Sequence, residues 1–269
     1  MKFDYVSDLH ADSWVIFEPA QATRARRTKF KNALRKWISS LLPEKPSRIL
    51  VIAGDISTDN AYTVDVLKEL QKHYENIVFV VGNIDMHLRR AGSHLTCQDR
   101  VDALKACLRD LPGVYLLDGD TVEIGDITFG GTCGWYDNAF TGMTDEMHRS
   151  LWRMHYDYEG TLGTLDTDEF AKKQKEVVAK LAAVSDVLVT HVTPLLSVSR
   201  SEGKYHTFDA TSLSLKSTVW VCGHVHAFSE TEVELGGGGT VAILRNPIGN
   251  PKEQGTHDPC SAVIRTFNK

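Results

Sequence analysis

Five short strand-like stretches mark the chain, and each breaks into polar residues at its C-terminal end. Residues 49–53, ILVIA, are apolar throughout and stop at Gly54-Asp55. An unbroken β-branched run of this length predicts a strand buried on both faces, as in a parallel sheet covered by helices. Residues 77–81 lead in the same way into Gly82-Asn83-Ile84-Asp85, 186–189 into Thr190-His191, and 218–222 into Gly223-His224-Val225-His226. Residues 2–6 alternate apolar and polar and end in Ser7-Asp8-Leu9-His10. Between these stretches the spacing turns helical. Residues 23–42 place Phe30, Leu34, Trp37, Ile38 and Leu41 on one face, and further helices are predicted over 59–73, with Asp59 as N-cap, over about 99–111, and over 168–184. Residues 114–117, 121–124 and 127–131 read as strands, and the tail, 230–235, 241–245 and 262–267, as antiparallel strands with a hairpin turn at 236–239.

Strands alternating with helices predict an α/β chain whose chemistry gathers where the strands end. Residues 134–168 break the rhythm. They mix Trp135, Tyr136, Phe140, Trp152, Tyr156 and Tyr158 with Met, His and Gly, and predict a long irregular excursion with one short helix over 146–155. Its two readings are a lid or substrate-recognition loop and a packed subsidiary core.

Composition narrows the class. At 269 residues and 42% hydrophobic content the chain can fill one large core, so residues 1–269 are read as a single domain. A formal charge of −5 argues against an overall basic nucleic-acid binder. Lys2, Asp4 and Asp8 interrupt the first ten residues, so they cannot form a secretory signal core, and no window resembles a membrane span. Cys97, Cys107, Cys133, Cys222 and Cys260 lack paired metal-type spacing and read as reduced thiols, which makes the expected location cytoplasmic. Arg24, Arg26, Arg27, Lys29, Lys31, Arg35 and Lys36 crowd one helix, either as a solvated face or as a phosphate-attracting rim.

The strand ends carry the chemistry. Asp8 and His10, two apart on an extended segment, point the same way; Asp55 follows a glycine that lets the backbone turn; Asn83 offers a neutral oxygen; His191, His224 and His226 add imidazoles. Seven such donors exceed what one ion needs and suit two, with Asp55 shared. The set has no thiolate, which favours hard or borderline ions: manganese first, with iron, zinc or nickel as the other candidates. Two bridged cations activate a water and neutralise the charge that builds on a phosphate ester.

The order D-x-H, G-D, G-N-x-D, H, G-H-x-H, from Asp8 to His226, resembles the calcineurin-like metallophosphoesterase superfamily. The resemblance implies a four-layer αββα sandwich of two mixed sheets flanked by helices. It implies that Asp8, His10, Asp55 and His226 hold one metal and Asp55, Asn83, His191 and His224 the other. It also implies attack on the ester by a metal-bridging hydroxide, with Asp55 and His191 in the catalytic set. Residues 115–126, followed by Gly130-Gly131-Thr132 and Trp135, look like a prokaryotic and phage branch of the superfamily. One departure matters. The family usually has a histidine after the asparagine, thought to assist the leaving group, and Ile84 stands there. Branches lacking that histidine include phosphodiesterases, so a nucleotide-type or other small phosphodiester is the expected substrate, with nucleic acid less favoured. The alternatives are a phosphomonoesterase, including a Ser/Thr protein phosphatase, with His87 one turn on taking over the missing role, a nuclease, or a non-catalytic scaffold. Asp85 reads as a local cap after Asn83.

Overall fold

In the computed structural model, which describes residues 1–88, 96–137, 144, 146–147, 165–196, 207–235, 239–253 and 263–269, the five strand-like stretches become the parallel heart of two mixed sheets. The chain runs β1 (Lys2–Val6), α1 (Ala11–Trp14), α2 (Arg24–Leu41), β2 (Ile49–Ala53), α3 (Asn60–Leu70), β3 (Asn76–Val80), α4 (Asn83–Met86), α5 (Cys97–Leu108) and β4 (Val114–Leu116). It continues through β5 (Asp120–Ile124), β6 (Ile127–Thr132), α6 (Thr167–Ala182), β7 (Val187–Thr190), β8 (Thr193–Leu195) and β9 (Thr207–Asp209). It ends in β10 (Val219–Cys222), β11 (Ser229–Glu234), β12 (Thr240–Arg245) and β13 (Arg265–Asn268). One sheet has the order β13-β1-β2-β3-β4 and the other β11-β12-β10-β7-β6-β5, with β8 and β9 forming a small parallel pair.

Register aligns the functional ends. Val6 lies opposite Ile52, and Ala53 opposite Val80, so the segments that begin at Ser7, Gly54 and Val81 leave one sheet side by side. In the other sheet Val221 lies opposite Val189, which brings His191 level with Gly223. The two-residue period of a strand divides the core. Phe3, Tyr5, Val51, Val78 and Val80 pack between the sheets against Phe129, Val187, Val189, Val221 and Leu244. The alternate positions Val6, Leu50 and Ile52 belong to the core that includes Phe30, Leu34 and Ile38 of α2. On the other sheet α6 packs against β6 and buries Val178 and Leu181. Helices thus cover the outer faces of two stacked sheets, as expected. The same alternation turns Asp4 away from the inter-sheet core, where it is fully buried and accepts hydrogen bonds from Ser47 N (3.0 Å), Tyr74 Oη (3.0 Å) and Thr266 Oγ1 (2.7 Å).

Several boundaries differ from the sequence reading for identifiable reasons. Thr96 caps α5 and Asp99 returns the hydrogen bond as the third residue of a capping box, so the helix starts at Cys97 rather than at Asp99. The tail is not one antiparallel unit: β12 pairs antiparallel with β11 but parallel with β10, and β13 crosses to the other sheet beside β1. Most of the predicted excursion, including 148–155 of the short helix expected over 146–155, lies outside the described residues, as does most of the turn at 236–239; Glu146 and Met147 are described and helical. The cationic positions of helix α2 are mostly exposed, and three of its arginines find acids on neighbouring segments: Arg26 pairs with Glu18, Arg27 with Asp65 and Arg35 with Glu69. Among the described residues no helix is long and apolar enough to cross a membrane.

Candidate metal centre

The C-terminal edges of both sheets meet, and there the structure brings together Asp8, His10, Asp55, Asn83, His191, His224 and His226. His10 Nε2 is 3.1 Å from His226 Nε2, which is 3.3 Å from Asp8 Oδ1. On the other side, Asn83 Oδ1 lies 2.9 Å from His191 Nε2 and 3.0 Å from His224 Nδ1, and these two nitrogens are 3.2 Å apart. Asp55 stands between the two groups, its Oδ2 3.4 Å from His191 Nε2 and 3.8 Å from His10 Nε2. Its Oδ1 accepts a hydrogen bond from the Ile84 amide at 2.9 Å, so Oδ2 is the oxygen turned toward both imidazoles.

Glycines make this convergence sterically feasible. A Cβ on Gly82 would sit 2.1 Å from Asp55 Oδ1, one on Gly223 2.7 Å from Asp8 Oδ2, and one on Gly54 2.6 Å from His191 Nδ1. Each glycine that ends a strand therefore clears room for a donor carried by a different strand. The donors themselves occupy costly backbone. Among the described residues, the non-glycine positions with positive φ are Asp8 (51°), His10 (41°), Asp55 (57°) and His224 (67°), all of them in this cluster. Left-handed conformation costs on the order of 1–3 kcal/mol at each such position, at the lower end for aspartate, and it clusters where function imposes it.

Hydrogen bonds hold the strained turns. Asp85, expected as a local cap, reaches much further: Oδ2 accepts from Gly82 N (2.9 Å) and Asp55 N (2.8 Å), and Oδ1 from Ile56 N (3.0 Å) and Ser57 N (3.1 Å). It ties the turn after β2 to the turn after β3. Burial, followed by the charge of Asp55, pushes the Asp85 carboxyl up to about 6. Asp8 is held by the His224 amide, at 3.0 and 3.2 Å from its two oxygens. His191 Nδ1 lies 2.9 Å from the Ala53 carbonyl, which leaves Nε2 to face Asn83 and Asp55. His87 caps the C-terminus of α4, half-buried, and its carbonyl accepts from the Arg100 guanidinium.

Electrostatics shows what the cluster requires. Burial alone would raise the Asp8 and Asp55 carboxyls, yet His226, His191 and His10 around Asp8, and His191 and His10 around Asp55, hold both below the usual carboxylate range. Burial likewise pulls the imidazoles down, but Asp55 with Asp8 lifts His191 to about 10, and Asp8 with Glu253 lifts His226 to about 9. The buried acids demand positive charge, which either protons on the imidazoles or divalent ions can supply. The spacing suits ions: donors about 2.1 Å from a common centre stand about 3.0 Å apart at right angles and about 3.4 Å apart in a tetrahedron. With Asp55 counted in both, the separations run from 2.9 to 3.4 Å in the Asn83 group and from 3.1 to 3.8 Å in the Asp8 group. Ligand atoms of Asp8, His10 and His226 all lie within 4.8 Å of one another, and so do those of Asp8, Asp55 and His191, so these sets could each hold a metal.

Two neighbours escaped the sequence reading. Tyr136 is buried and stacks its ring on His224, centroids 5.5 Å apart and 13° from parallel, with Trp135 stacked behind it. Glu253 accepts from His226 Nδ1 at 2.8 Å. No spacing signal links position 253 to position 226, whereas Tyr136 sits in the aromatic stretch for which sequence allows two roles.

A family model described as calcineurin-like phosphoesterase matches residues 1–228. No curated protein matches the chain. Among solved structures, a phosphopantetheinyl hydrolase from Mycobacterium tuberculosis aligns with a TM-score of 0.71 at 18% identity, over 99% of this chain and 95% of that one. TT1561 of Thermus thermophilus aligns with a TM-score of 0.51 at 8% identity, over 99% and 98% of the respective chains. At these identities the likeness is one of fold.

Proposed function

The chain belongs to the calcineurin-like phosphoesterase family, and from that premise we propose that it is a dimetal phosphodiesterase acting on a nucleotide-type or other small phosphodiester. Membership in the family supports metal-dependent hydrolysis of a phosphoric ester; the number of metals, their identity and the diester preference are our reading. The observation that carries it is the convergence of seven oxygen and nitrogen donors around Asp55, with Ile84 beside them. We assign Asp8, His10, Asp55 and His226 to one ion and Asp55, Asn83, His191 and His224 to the other, with manganese the first candidate for both. Asp8 borders both sets, since it also approaches Asp55 and His191.

When bound, two divalent ions supply a water acidic enough to be deprotonated at neutral pH and draw charge from the phosphate oxygens. The chain's own residues fix where that happens. Asp85 holds the backbone amide of Asp55 and the Ile84 amide holds its carboxylate, the Ala53 carbonyl orients His191, and Tyr136 stacks on the His224 ring. Ile84 can neither donate a proton nor bind an oxyanion. A leaving group that needs little protonation, as in an activated diester, is favoured on that ground. His87 remains the candidate to assist the leaving oxygen, and a phosphomonoesterase is the second reading if it does. We read the chain as one domain, with 134–168 as a substrate-recognition segment anchored by Trp135 and Tyr136. A cytoplasmic location is part of the proposal, supported by Cys107 and Cys222 standing as thiols rather than in a disulfide.

The test compares an aryl phosphodiester with the matching monoester in Mn²⁺, with a phosphopantetheinyl ester in the substrate panel. The expected result is faster diester turnover, lost on Asp55→Asn. Faster monoester turnover overturns the diester preference, and undiminished hydrolysis by the variant overturns the metal assignment.

A further inference from the structure

We propose that Glu253 is a positioning residue for the metal centre, a carboxylate that fixes the tautomer and direction of His226 and makes the ion held by that imidazole the more tightly bound of the pair. The inference rests on the dimetal reading above. Glu253 lies beyond the family-matched residues 1–228, so nothing in the motif that names the family contains it.

Glu253 Oε2 accepts from His226 Nδ1 at 2.8 Å and from the Asn250 amide at 2.7 Å. With Nδ1 engaged, the Nε2 lone pair of His226 faces Asp8 Oδ1 and His10 Nε2, two other members of the first set. A carboxylate on the far nitrogen of a ligating histidine both orients the ring and raises its basicity. His191, in the second set, has the neutral Ala53 carbonyl at the corresponding nitrogen. The two halves of the centre therefore differ in the charge that stands behind these imidazoles.

The segment that carries Glu253 is built to present it. Ile248 N and Gly249 N bond to the carbonyls of Ser7 and Asp8 at 3.0 and 2.9 Å, so the chain leaving β12 runs beside the first donor turn. Trp14 Nε1 donates to the Gly249 carbonyl at 2.9 Å, and Ser13 Oγ to Asn250 Oδ1 at 2.9 Å, which pins the turn to α1. Gly249 has φ of 67°, and a Cβ there would lie 2.6 Å from Glu253 Oε2. The absence of that methyl group is what lets the carboxylate fold back over the turn to reach His226.

The experiment is calorimetric titration of Mn²⁺ into chelator-treated wild-type protein, Glu253→Ala, Glu253→Gln, His226→Ala and the double variant Glu253→Ala/His226→Ala. Wild type is expected to show two binding events of unequal affinity. Glu253→Ala should weaken the tighter event by about 10- to 100-fold and leave the other within twofold. Glu253→Gln, which keeps an acceptor for both hydrogen bonds, should fall between. In the His226→Ala background the Glu253 substitution should change nothing further. Unchanged affinity in Glu253→Ala, equal weakening of both events, or a further tenfold loss on top of His226→Ala overturns the inference. Failure of wild type to bind two ions overturns the dimetal reading instead, so the two failures are distinct.

Discussion

Gly82→Ala separates the site from the fold more sharply than removal of any donor. The backbone at Gly82 has φ of −103°, which alanine adopts without strain, so the effect comes from the added methyl group alone. That carbon would lie 2.1 Å from Asp55 Oδ1 and 2.8 Å from its Cγ, where ordinary contact begins at 3.4 Å, so carboxylate and turn must separate by about 1.3 Å. Neither side yields easily. Asp55 is 2% exposed, and its backbone and that of Gly82 are tied to the same Asp85 oxygen. Overpacking of this kind costs roughly 1–3 kcal/mol of stability. A displacement of about 1 Å in a positioned catalytic group costs on the order of 100-fold in rate, equivalent to about 2.7 kcal/mol of transition-state stabilisation. The variant should retain its secondary structure, carry less than half the bound Mn²⁺ of wild type by elemental analysis, and lose at least 100-fold in kcat/KM on an aryl phosphodiester. Gly239→Ala, where among the described residues an added Cβ meets only Leu235 Cδ1 at 3.9 Å, is the control and should match wild type. If Gly82→Ala keeps both metal content and kcat/KM within twofold, the strand-end glycines do not serve to clear space for donors.

Asp85→Asn leaves two of the four backbone donors facing an amide NH2 group; at about 1–3 kcal/mol per unmet buried group, the urea midpoint should drop clearly, with Mn²⁺ affinity falling alongside. Ile84→His restores a proton donor next to Asn83, and monoester hydrolysis should rise at least tenfold while diester hydrolysis changes little; no rise would show that Ile84 is not what limits the monoester. In chelator-treated protein His191 and His226 stand at about 10 and about 9, above the free imidazole value of 6.5. The stability they add is full below pH 6.5 and fades as pH rises through 9 to 10, so the urea midpoint should decline over that range. Mn²⁺ uptake at pH 7.5 should therefore release protons, measurable as a buffer-dependent binding enthalpy.

The parallel core was legible because its strands are covered on both faces, and an unbroken run such as Ile49–Ala53 has few other readings. The donor set was legible because those runs end abruptly, each time in a small or hydroxyl residue followed by a ligand-type residue. What escaped was either too short to show a period or tied together only by folding. α1 and α4 are four residues each, and β8 and β9 three, with Pro194 inside β8. Asp85 was seen but its reach was not, because its partners Asp55, Ile56 and Ser57 lie about thirty residues upstream and meet it only when β2 and β3 pair. Glu253 is the extreme case. It carries no pattern of its own, and it matters only because the chain after β12 returns to the turn that follows β1.

The left-handed backbone at Asp8, His10, Asp55 and His224 gives the chain an unusual dependence on its surroundings. Strain concentrated at the very residues that would grip the ions means that a freshly made, unloaded molecule is the least robust form of the protein, and loading shifts the folding balance by mass action. Scarcity of the ion would then shorten the molecule's lifetime as well as silence it, since quality-control proteases act on whatever fraction opens. Abundance of this protein in a cell should follow metal supply even where transcription does not.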